Sequence, residues 1–178
     1  MEARAAEPFQ PDSPQHEALL RRLWAIAFPS LPCTSLKSAQ WKEMGWQGED
    51  PATDIRGSGV FGLDCLLYLA DVHPATWTRL MEKLDGQRSE WEYPFAAAGL
   101  NVQFMLCEVV GLSEHRARAG RGAAPHGGAA AEVPTAHMAS STAAGRGFLG
   151  LLPSDAKAFE EVFVASFEAL DKEWLAQK

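Results

Sequence analysis

Arg56 stands in the segment "WKEMGWQGEDPATDIRGSG", Trp41 to Gly59, which has the periodicity of neither an amphipathic helix nor a strand. A guanidinium is a planar cation with five donors in a fixed fork, and its natural partner is a carboxylate or a phosphate. The chain offers the first kind close by. Asp54, Asp50 or Asp64 would each make an internal ion pair that merely holds the segment. The other reading is an arginine presented outward to a phosphate carried by a partner. The residues around Arg56 favour a stiff setting. Trp41 and Trp46 are too bulky to be left in water together, so at least one should anchor the segment to helices. Gly45, Gly48, Gly57 and Gly59 permit conformations or close approaches denied to other residues, and Pro51 stiffens the middle. Thr53 or Asp54 is expected to accept backbone N–H groups where the next helix begins, and Asp54 also to orient Arg56. Gln47 is expected to bond the backbone of the segment rather than a partner.

Other chemistries find little support. Gly57-Ser58-Gly59-Val60-Phe61-Gly62 matches the dinucleotide fingerprint in letters, but the chemistry needs a preceding strand, and "GEDPATDIR" reads as a loop. No lysine follows the glycines as a P-loop requires. The histidines, at 16, 73, 115, 126 and 137, form no H-x-x-x-H pair, so no metal site is expected. Cys33, Cys65 and Cys107 are odd in number and widely spaced, and read as reduced core or near-core thiols. Serine occurs nowhere in a nucleophile elbow, and no carboxylate pair is marked as an acid/base dyad. An enzyme with its own substrate pocket is poorly supported.

The scaffold must then position one arginine. The 178 residues make one domain with a tail, and 47% apolar residues with six tryptophans provide a packed core. The 23 acidic against 16 basic residues give a net charge of −7, which argues against a general nucleic-acid or anionic-membrane binder. With no secretory signal and no long apolar run, a cytoplasmic protein without a transmembrane segment is expected. Residues 1–15, with Pro8, Pro11 and Pro14, read as a flexible arm before a helical domain over 16–178. Leu19, Leu20, Leu23, Trp24, Ala27 and Phe28 form a helical stripe stopped by Pro29 and Pro32. Leu63, Leu66, Leu67 and Ala70 form a second, widened by Tyr68 and Leu69, and a short helix over 74–84 turns Trp77, Leu80, Met81 and Leu84 inward. Residues 95–110, apolar nearly all round, predict a central helix surrounded by its neighbours. Residues 116–147 hold eleven alanines, six glycines and no aromatic residue, and are expected to be a disordered, low-complexity insertion. A last helix follows, capped by Ser154, with Phe159, Val162, Phe163, Phe167, Leu170 and Trp174 inward and Glu160, Glu161, Glu168 and Lys172 outward. The fold class is all-α: a single compact helical domain, its first and last helices side by side, with a glycine-rich arginine loop.

The residues of the loop also carry a resemblance. Trp41, Gly45, Trp46 and Gln47, then Pro51, Thr53, Asp54, Ile55, Arg56, Gly57 and Gly59, then Leu63, Leu66, Leu67 and Tyr68, are similar in order and spacing to the signature of the ELMO domain. "YPFAAAGLN" and "FEALDKEW" resemble later stretches of that family. Trp46 stands where the family favours phenylalanine or tyrosine, Ile55 where phenylalanine or leucine is common, and Leu69 where phenylalanine is usual. More narrowly, the chain resembles the ELMO-domain-containing (ELMOD) branch, whose members are GTPase-activating proteins for Arf-family and Arf-like small GTPases. Arg56 matches the arginine assigned the catalytic role in that branch, which the larger ELMO scaffold proteins lack. The resemblance implies an arginine finger acting in trans, with GTP and Mg²⁺ held by the partner GTPase, no cofactor of the chain's own, and membrane association only through that partner. Its alternative is an ELMO-like scaffold that binds a small GTPase or its exchange complex without catalysis.

Overall fold

A computed structural model describes residues 2–82, 92–112, 143–151 and 155–177. Its elements, in chain order, are α1 Glu2–Ala6, α2 Pro14–Ala27, α3 Gly59–Val72, α4 Pro74–Met81, α5 Phe95–Val110, α6 Ala143–Leu151 and α7 Ala158–Ala176. Two short 3-10 turns, Ala39–Met44 and Pro51–Thr53, lie between α2 and α3, and no strand occurs among the described residues. The domain is all-α.

The densest run of apolar residues at helical spacing becomes the hub. Val60, Leu63, Leu66 and Leu69 of α3 are fully buried, and α1, α2, α4, α5 and α7 all pack on that helix. α5 was expected at the centre. It instead lies beside the hub, packed on α3, α6 and α7 with Trp77 of α4 edge-on to Phe95 at 5.0 Å, and Phe104, Met105 and Val109 remain 42%, 53% and 52% exposed. An apolar sequence all round a helix therefore marks two things here: one face in the core, and one partly exposed. α2 and α7 were expected side by side; both pack on α3.

Most inward assignments hold. Leu20, Leu23 and Trp24 are buried on α2, Trp77 and Leu80 on α4, and Phe159, Phe163 and Phe167 on α7. The start of α7 differs: it begins at Ala158, Ser154 lies outside the described residues, and Asp155 Oδ1 accepts the Lys157 N–H at 2.7 Å. Trp174 is 38% exposed, its ring edge-on to Tyr93 at 5.6 Å, while Glu160, expected outward, is buried beside Lys157 Nζ at 2.7 Å. α4 ends at Met81, and Leu84 falls outside the described residues.

The expected flexible arm is tied down over its described part, residues 2–15. Ala5 is buried, Arg4 forks onto Asp64 with Nη2–Oδ1 at 2.9 Å, and the Glu7 carbonyl accepts the Val60 N–H at 3.1 Å. The prolines turn the chain back onto α3 rather than freeing it. Of the expected insertion, 116–142 lie outside the described residues. Residues 143–147 belong to α6, whose Phe148 packs edge-on against Phe159 at 6.0 Å and explains their order. Cys65 and Cys107 are buried and Cys33 half-buried, all as free thiols, and burial pushes the Cys65 thiol well up.

Candidate functional site

The first 3-10 turn is capped by Ser38, whose Oγ accepts the Gln40 N–H at 3.2 Å, and it delivers Trp41 into the core. The Trp41 ring lies edge-on to Trp24 at 5.0 Å and to Trp46 at 5.8 Å. Its Nε1 donates to the Leu36 carbonyl at 2.9 Å. Both tryptophans of the segment are buried, so both anchor it. Gly45 ends the turn at φ +85°, and a Cβ there would stand 2.3 Å from the Phe95 nitrogen. The Gly45 carbonyl accepts the Ala97 N–H at 3.2 Å, which joins the segment to the first turn of α5. Only glycine fits this contact.

Asp50 caps the second 3-10 turn through Oδ1, which accepts the Ala52 N–H at 3.1 Å, and Pro51 is buried at its first position. Thr53 Oγ1 donates to the Asp50 carbonyl at 2.8 Å and to Asp54 Oδ1 at 3.1 Å. Asp54 Oδ2 accepts the Gln47 backbone N–H at 2.8 Å. Thr53 and Asp54 were expected to serve the start of α3; they instead staple the two halves of the loop. The Gln47 side chain is exposed, and only its backbone serves the loop. Ile55 is fully buried, and its carbonyl accepts the Gly59 N–H at 2.7 Å and the Ser58 hydroxyl at 3.3 Å.

Arg56 lies between the buried Ile55 and the buried Ser58, and is itself exposed. Among the described residues its guanidinium makes no hydrogen bond or ion pair. Each carboxylate weighed as its internal partner is engaged elsewhere. Asp54 holds Gln47 and Thr53, Asp50 pairs with Lys37 at 3.1 Å, and Asp64 pairs with Arg4. Asp54 therefore fixes the turn without touching the guanidinium. Gly59 takes φ +62°, whereas a Cβ on Gly57 would meet nothing within 4 Å, so the close approach expected of Gly57 is not made within the chain.

In the first turn of α3 the Gly59, Val60 and Gly62 N–H groups donate to Ile55, Glu7 and Ser58 carbonyls, so most of the donors in the G-x-G-x-x-G stretch serve the fold. No group of three or more His, Cys, Asp or Glu side chains stands ready for a metal among the described residues. Leu63, Leu66 and Leu67 are core, as expected of scaffold. Tyr68, on the same helix, hydrogen-bonds Glu161 on α7, and burial first and that carboxylate second push its phenol up to about 12. Glu161 is held below the ordinary carboxylate range by the Tyr68 hydroxyl and then by His73, whose Nε2 lies at 3.1 Å.

Beside the Arg56 turn lies a depression of about 230 Å³ lined by Asp54, Gly57, Ser58, Leu100, Asn101 and Phe104. Asn101 and Phe104 were not singled out from the sequence. The available signal was Asn101 itself, a polar residue interrupting an apolar helix.

The ELMO/CED-12 family matches residues 1–178. ELMO domain-containing protein A of Dictyostelium discoideum is 33% identical over 170 residues, which cover 93% of this chain and 16% of that protein. ELMO domain-containing protein B of the same organism is 34% identical over 110 residues, 62% of this chain and 38% of its own length. Human ELMO domain-containing protein 1 is 35% identical over 119 residues, 54% of this chain and 36% of its own. The chain spans well under half the length of each of these relatives, and no solved structure matches it. With the whole chain matched and its tryptophans, Gly45 and Asp54 holding one arginine-bearing turn, the protein belongs to the ELMO/CED-12 family.

Proposed function

We propose that this ELMO domain binds an Arf-family or Arf-like small GTPase and that Arg56 accelerates GTP hydrolysis in trans. In this reading the segment from Gly45 to Gly59 is the arginine loop of an ELMOD-type activator working in the cytoplasm and reaching membranes through its partner. The observation that supports it is the exposed, unpaired Arg56 guanidinium on a turn stapled by Asp54, with the neighbouring acids committed elsewhere. A carboxylate-bound arginine would have to break a bond before meeting a phosphate; Arg56 does not.

The partner supplies the nucleotide, its Mg²⁺ and the residue that positions water. Arg56 supplies a planar cation beside the transferring phosphoryl group, where charge builds on the oxygens as the bond to the leaving group lengthens. Fingers of this kind contribute roughly 10³–10⁵ in rate, about 4–7 kcal/mol. Family membership by itself supports the broader version better: an ELMO scaffold that docks the GTPase or its exchange complex and leaves hydrolysis unchanged. Single-turnover hydrolysis across a panel of Arf-family GTPases separates the two. The finger predicts stimulation that Arg56→Lys, which keeps the charge but loses the fork, lowers by about two orders of magnitude or more. GTP-dependent binding with no stimulation would leave only the scaffold.

A further inference from the structure

We infer that the arm preceding α2 braces the Arg56 turn from the α3 side, with Arg4 and Glu7 as positioning residues for the arginine. This rests on the reading of Arg56 given above and deepens it. The Arg56 guanidinium makes no hydrogen bond or ion pair among the described residues, so its direction is inherited from the backbone that carries it. That backbone is one tight turn, in which the Ile55 carbonyl accepts the Ser58 N–H at 3.1 Å and the Gly59 N–H at 2.7 Å. Asp54 fixes the way in. The way out is the start of α3, where Ser58 makes no side-chain cap because its hydroxyl turns back to the Ile55 carbonyl. The Val60 N–H, next along the helix, is taken instead by the Glu7 carbonyl of the arm at 3.1 Å.

The arm does not hold this bond unaided. α1 is five residues long, too short to persist as an isolated helix. A chain of polar contacts fastens it to both neighbouring helices. Asp64, one turn beyond Val60 on the same face of α3, takes the Arg4 fork, with Nη2–Oδ1 at 2.9 Å. Arg4 Nη1 donates to Glu7 Oε2 at 3.0 Å, and Glu7 Oε1 lies 2.8 Å from Nε2 of the buried His16 on α2. His16 Nδ1 accepts the Gln10 N–H at 3.0 Å, so the ring proton sits on Nε2 and is donated to Glu7. The His16 bond first, and Arg4 after it, hold the Glu7 carboxyl below its ordinary range. Glu7 is the crossing point: α2 and Arg4 grip its carboxylate, and its carbonyl grips the first turn of α3. A slack arm therefore moves the Val60 amide, next to the Gly59 amide that closes the Arg56 turn. Misplacing a reacting group by about 1 Å costs about 10²-fold in rate, a displacement too small to unfold the domain.

The test uses the full chain, single-turnover hydrolysis by the panel of Arf-family GTPases, and amide hydrogen exchange of the domain alone. Arg4→Ala should lower the stimulated rate at saturation about tenfold, change affinity for the GTPase by less than about twofold, and speed exchange of the Gly59 and Val60 amides at least about tenfold with α7 unaffected. Arg4→Lys, which keeps a cation for Asp64, should recover part of the rate. Tyr93→Phe is the control: it removes a distant tie to Asp171, and should lower the thermal midpoint to a similar small extent while leaving the rate unchanged. Unchanged exchange at Gly59 and Val60 in Arg4→Ala would overturn the brace. Faster exchange with an unchanged rate, where Arg56→Lys loses stimulation, would overturn the positioning role and leave Arg56 standing. An equal loss of rate in Tyr93→Phe would overturn it too, as general destabilisation. Should wild type stimulate no member of the panel, the Arg56 reading fails, and the exchange rates alone decide whether the arm holds the turn.

Discussion

The Gln47 backbone N–H donates to Asp54 Oδ2 at 2.8 Å, and this bond closes the loop two residues before Arg56. Its acceptor is a carboxylate that the guanidinium itself does not use. The relation separates two residues that the sequence groups together: Asp54 shapes the turn, and Arg56 stays exposed without using it.

Removing the staple should therefore loosen the turn and dull Arg56. A hydrogen bond to a partly exposed carboxylate contributes about 1 kcal/mol. Asp54→Ala should lower the thermal midpoint by about 2–4 °C and reduce stimulated hydrolysis, while Asp54→Asn, whose amide oxygen still accepts from Gln47, recovers most of both. Equal loss in the two variants would mean that the charge, not the bond, is what matters.

Gly45 and Gly57 should respond in opposite ways to alanine. At Gly45 the left-handed φ and the 2.3 Å approach to Phe95 allow no methyl group, and the cost should exceed about 2 kcal/mol, with a midpoint lowered by at least about 5 °C. At Gly57 a methyl group meets open space, so the fold should be unchanged or gain up to about 1 kcal/mol. If Gly57→Ala keeps the fold but loses GTPase binding, the glycine is there for the partner's approach. Calorimetry with a binding assay distinguishes the cases.

Asp171 is the buried polar tie of the C-terminal helix. It is 1% exposed, accepts the Tyr93 hydroxyl at 2.8 Å and pairs with Arg79 Nη1 at 2.9 Å. Asp171→Ala should cost about 2–4 kcal/mol, since it strands a buried hydroxyl and breaks the ion pair. Tyr93→Phe should cost about 1 kcal/mol. Urea unfolding of both variants measures this, and a smaller loss from Asp171→Ala than from Tyr93→Phe would contradict it.

The Tyr68–Glu161 contact predicts two limbs of pH dependence. Glu161 is depressed in the fold, so its contribution is present above its ordinary 4.5 and is lost as pH falls through the lower folded value. Tyr68 is raised from 10.0 to about 12, so its contribution is present below 10 and is lost as pH rises toward 12. Phenolate absorbance in a Tyr93→Phe background should show Tyr68 ionising near 12. Glu161→Gln should bring that value down while leaving it above 10.0, because burial, the larger cause, survives. Ionisation near 10.0 in the unmutated contact would contradict the pairing.

What the sequence made legible follows from local spacing. The stripes of α2, α3 and α7 announce themselves because apolar side chains recur at helical intervals, and Trp41 and Trp46 are too large to be anything but anchors. What it hid is set by contacts between distant segments. Nothing local to "EARAAEPFQ" reveals that Asp64 lies opposite Arg4. Asp171 falls in register with Phe163 and Phe167 on the inward stripe, yet a carboxylate there reads as surface until Tyr93 and Arg79 converge on it. The free state of Arg56 was equally beyond reach, because it depends on where three acids spend their oxygens. The exposed α5 stripe was concealed by composition: a helix apolar on every side looks fully buried until its neighbours are placed.

The most direct measurement is binding of the domain to an Arf-family GTPase carrying GDP and aluminium fluoride, which mimics the transferring phosphoryl group, compared with the same GTPase carrying GDP alone. An arginine that acts in the transition state predicts strong preference for the mimic, lost in Arg56→Lys without change in the domain's thermal midpoint. Equal binding to both forms, or a preference that Arg56→Lys retains, would contradict a catalytic Arg56.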